Sequence, residues 1–437
     1  MIIVNAPRGS IIAASFEGIM VTGTGSIAST GAAISTTYSG GYIAVAGTLM
    51  SETVGIHVDL TENFGGLIRL DVFEGGLVYG QIAGITLREG SYTVDNAGMI
   101  RGNVGILAGG GSSSGTLTLR NSGTISGEGI AIQMAYDSSS FTDLNLTNHG
   151  RIIGGTAAIS MADDDSFAQI HNFGQIFGMI STGDSGDALF NRGEIEGVIL
   201  LNGGSDLFDN RGGKTDGILC QMGSGDDTAV LGRREEVIMG GEGIDEVNYV
   251  SARGVGINLG NLAANRGAAE GDVYSELERF VGSDGGNDTL TGGGQDTSFS
   301  GRGGADRLSG GGGADTLTGG AGADTLTGGA GADRFLFTMP PEGGDTITDF
   351  QRGASGDKIV IGAVLFAPDL LAGSLPGAQF QRRADNLAQE ADDRFIFNTT
   401  DGTLWFDADG SDIAATPILL ATFTNGVTLA ASDILFL

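Results

Sequence analysis

The chain contains a single cysteine, Cys220, so an intrachain disulfide bond cannot form. No apolar run approaches the roughly 18 residues that a transmembrane helix needs, and we therefore expect no such helix. Residues 1–21 lack a basic start and a clear cleavage site, so we also expect no secretory signal peptide. Outside the cell, a protein of this composition would need a stabilising link other than a disulfide, and a bound metal ion can provide one.

Basic residues are scarce as well. The sequence has 22 lysine and arginine residues against 53 aspartate and glutamate residues, which gives a net charge of −31. Only Lys214 and Lys358 are lysines. So large an acidic excess disfavours nucleic acid and anionic membrane as partners, and it favours cations. Without cations, crowded carboxylates would repel one another and oppose folding.

Glycine, in contrast, is abundant, with 80 of 437 residues. Glycine without a period would indicate disorder, whereas glycine with a period indicates structural repeats. The chain length allows two or three domains or one long solenoid.

The clearest repeat fills residues 283–336 as six consecutive blocks of nine. The sixth position is aspartate in every block except the second, which has Thr297 there and Asp296 one place earlier. The eighth position is always apolar, and its occupants are Leu290, Phe299, Leu308, Leu317, Leu326 and Phe335. A flexible glycine-rich linker would not keep an aspartate and an apolar residue in phase, so we interpret the blocks as a folded repeat.

Physical chemistry explains this pattern. Glycine runs turn tightly and expose backbone carbonyl oxygens, and a carboxylate that follows them completes a set of hard oxygen ligands. The triplet around the apolar position predicts a minimal strand with its middle residue inward. Two blocks then make one coil of a flattened roll. Asp288, Asp306 and Asp324 are predicted on one wall, and Asp315 and Asp333 on the other.

These blocks resemble the RTX repeats of hemolysin-type calcium-binding proteins. The resemblance implies a calcium-binding β-roll over residues 221–336, with a divergent spacer at 246–282 and several bound Ca²⁺ ions. Glycine-rich turns within 202–250 carry the same pattern less regularly and extend the expected sites upstream. The predicted ligands are Asp288, Asp306, Asp315, Asp324, Asp333, Gly301, Gly303, Gly310, Gly312, Gly319, Gly328, Asp227, Asp245, Asp345 and Asp349.

A second, looser repeat, N-x-G-x-I-x-G, occupies residues 1–220. Its copies begin at Asn96, Asn121, Asn148, Asn172 and Asn191, and weaker copies without asparagine lie upstream. Short alternating segments between the copies indicate strands, and stacked units of this length predict a parallel β-helix. We expect the asparagines to stack along the axis and the isoleucines to fill the core. Asparagines that bind sugar or metal are the alternative. This part resembles the passenger solenoids of bacterial adhesins.

Residues 337–437 lose the glycine repeats and read as alternating strands with polar turns, with a short helix expected near 384–391. The segment resembles the C-terminal cap of RTX rolls. That resemblance implies a final calcium site at Asp345, Asp349 and Asp357, and an uncleaved type I secretion signal at residues 433–437.

The sequence offers few candidate catalytic groups. No H-E-x-x-H motif occurs, and His57, His149 and His171 are scattered. Residues 111–115 match G-x-S-x-G but lie in a Gly/Ser-rich stretch without strand–turn–helix context. A further candidate is an acidic cluster, which consists of Asp163, Asp164, Asp165, Asp184 and Asp187. Few basic residues lie near it in the sequence to act as a base or to neutralise charge, so we interpret it as solvated turns or extra cation sites.

The sequence therefore predicts an all-β protein, a parallel β-helix or β-solenoid continuing into a calcium-binding RTX β-roll with a small C-terminal β-rich cap. We predict a secreted, non-enzymatic structural or adhesive surface protein, such as a matrix, S-layer or filament subunit. Expected partners are calcium and either further copies of the chain or a cell-surface polysaccharide. The alternative is a β-helix polysaccharide-modifying enzyme (a lyase, epimerase or glycosidase) carried by an RTX secretion module.

Overall fold

A computed structural model describes residues 2–4, 9, 11–13, 18–37, 41–60, 67–109, 114–135, 142–161, 165–215, 217–338, 344–353, 356–362, 373–412 and 415–437. The chain forms two compact units. The first comprises Met1–Val230 and Glu236–Asp245, and the second comprises Leu231–Glu235 and Glu246–Leu437.

The first unit is built from short strands joined by tight turns. In chain order they are β1 (Ile2–Val4), β2 (Ile11–Ala13), β3 (Ile19–Val21), β4 (Ser26–Ser29), β5 (Ile34–Thr36), β6 (Tyr42–Val45), β7 (Thr48–Ser51), β8 (Val54–Asp59), β9 (Ile68–Val72), β10 (Leu77–Gly80), β11 (Ala83–Arg88), β12 (Tyr92–Asn96), β13 (Met99–Gly109), β14 (Gly115–Asn121), β15 (Thr124–Ala135), β16 (Thr142–Asn148), β17 (Arg151–Met161), β18 (Ala168–Asn172), β19 (Gln175–Ser181), β20 (Ala188–Asn191), β21 (Glu194–Glu196), β22 (Ile199–Leu200), β23 (Leu207–Asp209), β24 (Leu219–Ser224), β25 (Thr228–Val230) and β26 (Val237–Glu242).

Each strand of the first unit pairs in parallel with the equivalent strand one coil away, which is the arrangement of a parallel β-helix. One sheet runs through β6, β9, β12, β14, β16, β18 and β20. A second runs through β8, β11, β13, β15, β17 and β19, and β4, β7 and β10 join it at the start of β13. The predicted β-helix of the N-terminal half is therefore confirmed.

The isoleucines of the N-x-G-x-I-x-G repeat fill the core of this unit, as the sequence predicted. They stand in register on successive coils, and the weak upstream copies continue the same column. Its members, all buried, are Ile27, Leu49, Val78, Ile100, Ile125, Ile152, Ile176 and Ile195. Burial of one large aliphatic side chain per coil supplies the hydrophobic free energy that an isolated unit lacks.

The asparagines form a buried ladder parallel to that column. The side-chain amide of Asn121 donates to the Asn148 Oδ1 at 2.8 Å, and that of Asn148 donates to the Asn172 Oδ1 at 2.8 Å. The series starts at Asn96 and ends where the Asn210 amide donates to the buried carboxylate of Glu236 at 2.9 Å. These contacts satisfy polar groups that would be costly to bury alone, so the expected structural stacking is confirmed.

In the described residues, the second unit contains the remaining strands and three short 3₁₀ helices. The strands are β27 (Glu246–Asn248), β28 (Val255–Asn258), β29 (Arg266–Gly267), β30 (Val273–Ser275), β31 (Arg279–Val281), β32 (Thr289–Thr291), β33 (Ser298–Gly303), β34 (Arg307–Gly312), β35 (Thr316–Ala321), β36 (Thr325–Ala330), β37 (Arg334–Phe337), β38 (Asp345–Ile347), β39 (Lys358–Ile361), β40 (Gly373–Ser374), β41 (Phe380–Arg383), β42 (Phe395–Asn398), β43 (Thr403–Phe406), β44 (Ile418–Phe423) and β45 (Ile434–Phe436). The 3₁₀ helices are Leu262–Ala264, Gly377–Gln379 and Ala431–Asp433.

Successive nonapeptide strands alternate between two parallel sheets, which makes a β-roll. One sheet contains β31, β33, β35, β37 and β39, and the other contains β28, β32, β34, β36 and β38. The apolar eighth positions point inward from both walls and are all buried. Each coil of the roll therefore contains two nine-residue blocks, as the period predicted.

The C-terminal segment completes both sheets of the roll. Strand β44 pairs in parallel with β38, and β45 pairs in parallel with β39. Strands β42, β43 and β44 then form an antiparallel meander. The helix expected near residues 384–391 is wrong, because these residues adopt bends and irregular backbone. Among the residues described, no helix has the length and apolar character to cross a membrane.

Candidate metal-binding sites

The aspartates of the nonapeptide blocks form two axial ladders in the second unit. On one wall, the Asp306 Oδ1 accepts the backbone N–H of Asp288 at 2.7 Å, and the Asp324 Oδ1 accepts that of Asp306 at 2.7 Å. The Asp345 Oδ1 continues the series by accepting the N–H of Asp324 at 3.0 Å. One oxygen of each carboxylate is thus used to join its coil to the preceding coil.

The opposite wall carries the second ladder. The Asp315 Oδ1 accepts the N–H of Thr297 at 2.8 Å, and the Asp333 Oδ1 accepts that of Asp315 at 2.9 Å. The N–H of Asp333 donates to the Asp357 Oδ1 at 3.1 Å. The predicted division of the aspartates between two walls agrees with this geometry. Thr297 supplies only a backbone donor in the ladder, and Asp296 is exposed beside it.

The second oxygen of these carboxylates points at the glycine turn of its own block. Within the described residues, Oδ2 of Asp306, Asp315 and Asp333 is buried and accepts no hydrogen bond. A side-chain carbon placed on Gly301 would collide with the Asp306 Oδ2 and lie 2.7 Å from the Gly319 carbonyl oxygen. Gly310, Gly319 and Gly328 face Asp315, Asp324 and Asp333 in the same way. Each turn therefore forms a small cradle lined by oxygen atoms. Any residue with a side chain at the glycine position would fill that cradle.

The backbone of the turns supports the same conclusion. Gly322 has a φ of +143°, a conformation that residues with a side chain rarely adopt. A side-chain carbon there would also collide with the carbonyl oxygen of Gly304, one coil earlier. Gly303 and Gly312 lie at the ends of β33 and β34, beside these turns. Successive turns consequently pack backbone on backbone, with carbonyl oxygens directed into the stack.

Carboxylates alone do not make a metal site in this arrangement. Across the described part of the chain, no three histidine, cysteine, aspartate or glutamate side chains converge on one point. Each ladder has one aspartate per coil, so a cation between coils would need backbone carbonyl oxygens for most of its ligands. Calcium accepts such a set, since it takes six to eight oxygens, at about 2.3–2.6 Å, from carboxylates and carbonyls alike.

Burial of the ladders disfavours the charged form of the carboxylates. Loss of hydration raises the pKa of Asp306 to about 7, and repulsion from Asp288 and Asp324 adds to the effect. Loss of hydration likewise raises the pKa of Asp315 to about 6, with repulsion from Asp333 adding to it. A divalent cation beside the unused oxygens would reverse both causes, because it stabilises the ionised form. The residues present therefore fit calcium.

Other predicted ligands differ in detail from this pattern. Asp288 has both oxygens engaged, since Oδ1 accepts the Val255 N–H at 2.7 Å and Oδ2 accepts the Ser283 N–H at 2.6 Å. Both oxygens of Asp349 accept backbone N–H groups, from Gly328 at 2.9 Å and Gly329 at 2.8 Å. These two carboxylates close the ends of the stack with hydrogen bonds to the backbone.

A third ladder of the same geometry lies in the first unit. The Asp187 Oδ1 accepts the Ala168 N–H, the Asp206 Oδ1 accepts that of Asp187, and the Asp227 Oδ1 accepts that of Asp206. The Asp245 Oδ1 accepts the N–H of Asp227 at 2.9 Å. Burial raises the pKa of Asp206 to about 8. Asp227 and Asp245, both predicted ligands, thus occupy ladder positions.

Sequence reasoning missed Asp187 as a ladder member and considered it only within an acidic cluster. Its turn lacks a double glycine, but an aspartate 19 residues before Asp206 repeats the step between neighbouring asparagines in this region. Asp184 and Asp165 are exposed. Asp163 and Asp164 lie outside the described residues, as do residues 111–113 of the G-x-S-x-G stretch.

The histidines do not form a cluster with the ladders. His149 stacks on Phe173 with a centroid distance of 4.8 Å, and His171 stacks on Phe190 at 4.6 Å. Burial lowers the pKa of His57 in β8. Cys220 is buried, which raises the pKa of its thiol above the usual range.

Aspartate ladders that face glycine turns in a parallel roll define a calcium-binding repeat protein. Residues 300–335 match the family described as RTX calcium-binding nonapeptide repeat, in four copies. This block contains Asp306, Asp315, Asp324 and Asp333, so the chain carries RTX repeats, as the sequence pattern predicted. RTX repeats bind Ca²⁺ and are not themselves catalytic.

The chain is also similar to a solved structure. The AlgE6R3 subunit from the Azotobacter vinelandii mannuronan C5-epimerase, known from a solution structure, shares 30% sequence identity with this chain over the aligned region. The alignment covers 34% of this chain and 77% of that subunit, with a TM-score of 0.23. A TM-score this low supports no conclusion about activity. No curated protein matches the sequence.

Proposed function

We propose that this protein is a secreted structural or adhesive surface protein, a matrix, S-layer or filament subunit, whose roll folds when calcium binds. The observation that carries the proposal is the buried Oδ2 of Asp306, Asp315 and Asp333, each facing a glycine turn and accepting no hydrogen bond within the described residues. An ionised, dehydrated and unpaired oxygen is costly, and a cation removes that cost.

The proposed ligands are the ladder aspartates together with oxygens of the glycine turns. Asp306, Asp315, Asp324 and Asp333 contribute carboxylate oxygens directly. Asp288, Asp345 and Asp349 bound the stack, and Asp227 and Asp245 belong to the separate ladder of the first unit. The turn residues are Gly301, Gly303, Gly310, Gly312, Gly319 and Gly328.

Calcium in this proposal acts as a folding switch. Extracellular calcium modules bind with dissociation constants of about 10⁻⁴–10⁻³ M, far above cytosolic calcium. At roughly ten times its dissociation constant, each bound ion adds about 1.4 kcal/mol to the free energy of unfolding. The roll would therefore remain unfolded in the cytosol and fold outside. Proteins with RTX repeats are typically exported by type I secretion, and we assign that route, and a signal within residues 433–437, to this chain.

A calcium titration tests the proposal. Chelated protein is titrated with calcium while far-ultraviolet circular dichroism reports strand content, with magnesium as the matched control. We expect the β-signal of the roll to appear with calcium and not with magnesium, because magnesium demands a small octahedral site and dehydrates reluctantly. A fully folded metal-free protein would refute the folding switch.

Assembly on a surface is the second part of the proposal. Repeat solenoids associate through terminal coils and edges, and a calcium-loaded roll with little positive charge is suited to an ordered layer or to a polysaccharide matrix. Electron microscopy of the calcium-loaded protein should show regular arrays or filaments. Monodisperse particles at every calcium and protein concentration would exclude self-assembly and leave a surface polysaccharide as the partner.

A further inference from the structure

The first unit contains a cleft of about 320 Å³ that includes no ladder aspartate. It lies over the turns that follow β9, β12, β14 and β16. The backbone N–H groups of Phe73, Ala97, Ser122 and His149 donate to equivalent carbonyl oxygens on the preceding coils, so these residues occupy the same position on four successive coils. The side chains of Ala97 and Ser122 are small and lie between the rings of Phe73 and His149, which leaves the cleft open.

Both ends of the cleft present ring surfaces. Phe73 is a large apolar side chain that is 41% exposed. At the other end, one face of the His149 ring is covered by Phe173, with an interplanar angle of 8°, which holds the ring in place. Strands in a sheet are about 4.8 Å apart, so three coil steps separate the two ends by about 14 Å. The opening is thus long enough for an extended chain that lies along the helix axis.

The rim of the cleft carries a balanced set of charges. Arg69 contacts Asp71 at 2.9 Å and Asp95 at 2.8 Å, and Arg120 contacts Asp95 at 3.3 Å. The Tyr42 hydroxyl donates to Asp71 at 2.7 Å. Two arginines and two aspartates cancel, while the arginines remain 55% and 60% exposed. Such a rim offers many fixed donors and acceptors but no net charge.

We propose that this cleft binds a neutral saccharide chain. Sugar hydroxyls both donate and accept, so they match an alternating row of arginine donors and carboxylate acceptors. The apolar faces of sugar rings pack on exposed aromatic side chains, and apolar walls with a few convergent polar groups are typical of ligand clefts. An acidic polysaccharide does not fit, because Asp71, Asp95 and the net charge of −31 would repel it.

Binding of defined oligosaccharides to the full calcium-loaded chain tests the assignment. Isothermal titration calorimetry with neutral hexasaccharides of glucose, xylose and mannose is compared with hexasaccharides of galacturonate and mannuronate. We expect at least one neutral series to bind and neither acidic series. Phe73→Ala and Arg120→Ala should each weaken that binding by about tenfold, since each removes one wall or donor group.

The chain offers matched controls. Ile82 is also a large exposed apolar residue, and Arg101 makes an exposed ion pair with Glu128 at the same 3.3 Å, yet neither lines the cleft. Ile82→Ala and Arg101→Ala should leave binding unchanged. The saccharide proposal fails if the folded protein binds no neutral hexasaccharide, if it binds only acidic ones, or if the controls weaken binding equally. Calcium-dependent folding is read separately by circular dichroism, so either proposal can fail alone.

Discussion

At the scale of single residues, the two oxygens of each ladder aspartate have different roles. In Asp306, Oδ1 accepts a backbone N–H of the preceding coil, whereas Oδ2 faces Gly301 and accepts no hydrogen bond within the described residues. The hydrogen bond is a fixed structural contact, and the other oxygen is where a cation is expected. Substitutions can therefore separate the two roles.

Asp306→Asn keeps a side-chain oxygen for the N–H of Asp288 but removes the charge. We expect the calcium midpoint for folding to rise several-fold and the free energy of unfolding in calcium to fall by about 1–2 kcal/mol, as for the loss of one ion. Without calcium at pH 8, the roll of the variant should retain at least as much strand signal as that of the parent, because a buried charge is gone. Urea unfolding in calcium measures the first effect, and circular dichroism without calcium measures the second. Asp392→Asn, at an exposed position outside the ladders, is the control and should change neither value.

The raised pKa values predict how the metal-free protein responds to pH. The pKa is about 7 for Asp306 and about 6 for Asp315 in the folded state, above the value of about 4 in an unfolded chain. The protonated forms thus stabilise the fold fully below about pH 4, and this stabilisation is lost as the pH rises through 6 and 7. We expect the metal-free roll to be more folded at pH 5 than at pH 8.

Calcium should reverse that order, because protons compete with the ion for the same oxygens. Urea unfolding in calcium and the strand signal in circular dichroism without calcium, each at the two pH values, measure the effect. An Asp306→Asn/Asp315→Asn double variant should show a smaller pH dependence without calcium. A metal-free roll that is more folded at pH 8 would contradict the proposed burial of these groups.

At the scale of structural elements, the asparagine ladder stabilises the first unit independently of calcium. Asn148 is fully buried, accepts from Asn121 and donates to Asn172. Asn148→Ala leaves one buried donor and one buried acceptor without partners, so we expect a loss of about 2 kcal/mol or more in the free energy of unfolding. Thermal unfolding of the β-helix signal should show the same loss with and without calcium.

Asn145 on the same strand β16 provides the control. It is an outward-facing, half-buried residue, and Asn145→Ala should change the free energy of unfolding by less than about 0.5 kcal/mol. Equal effects of the two substitutions would mean that the ladder is not a specific source of stability.

The sequence predicted those elements whose residue types recur in phase. An aspartate and an apolar residue in each block of nine define the two walls of the roll, because strand alternation and tight turns depend on local chemistry. Asp357 was harder to place in its ladder, since it follows Asp333 by 24 residues instead of 18. The expected helix near residues 384–391 was wrong because this segment connects β41 to β42, which pair in parallel, and the N–H groups of Gln389 and Glu390 donate to the Asp393 carboxylate instead of to a helix.

The cleft could not be predicted from the repeat. It depends on which side chains occupy one turn position over four coils, and N-x-G-x-I-x-G leaves that position unspecified. Ala97, Ser122 and His149 each follow the asparagine of a repeat copy, so the repeat places them in one row, as the register of the strands does. They share no residue type with one another or with Phe73, which follows Val72 in a copy without asparagine. The motif therefore does not predict an opening there.

At the scale of the whole molecule, the last strand completes the second unit. Ile434 and Phe436 in β45 are buried and pair with Ile359 and Ile361. Deletion of residues 434–437 should lower the free energy of unfolding by about 3 kcal/mol or more even at saturating calcium, since burial of each such side chain contributes about 1.5–3 kcal/mol. Thermal unfolding of the roll measures the loss.

Removal of Leu437 alone is the matched control, because its side chain is 62% exposed. That change should leave the unfolding temperature almost unaltered. If deletion of residues 434–437 also leaves the unfolding temperature unaltered, burial of β45 does not contribute to the stability of the roll.

The direction of the ladder hydrogen bonds makes the two ends of the roll chemically different. The N–H of Asp288 donates to the carboxylate of Asp306, which lies one coil later in the chain, and the N–H of Asp306 in turn donates to Asp324. The first coil of a ladder therefore has a carboxylate oxygen without a ladder donor, and the last coil has an N–H without a ladder acceptor. The roll can end only where another group completes these bonds, as the Val255 N–H does for the Asp288 Oδ1 and the Gln351 carbonyl oxygen does for the Asp357 N–H.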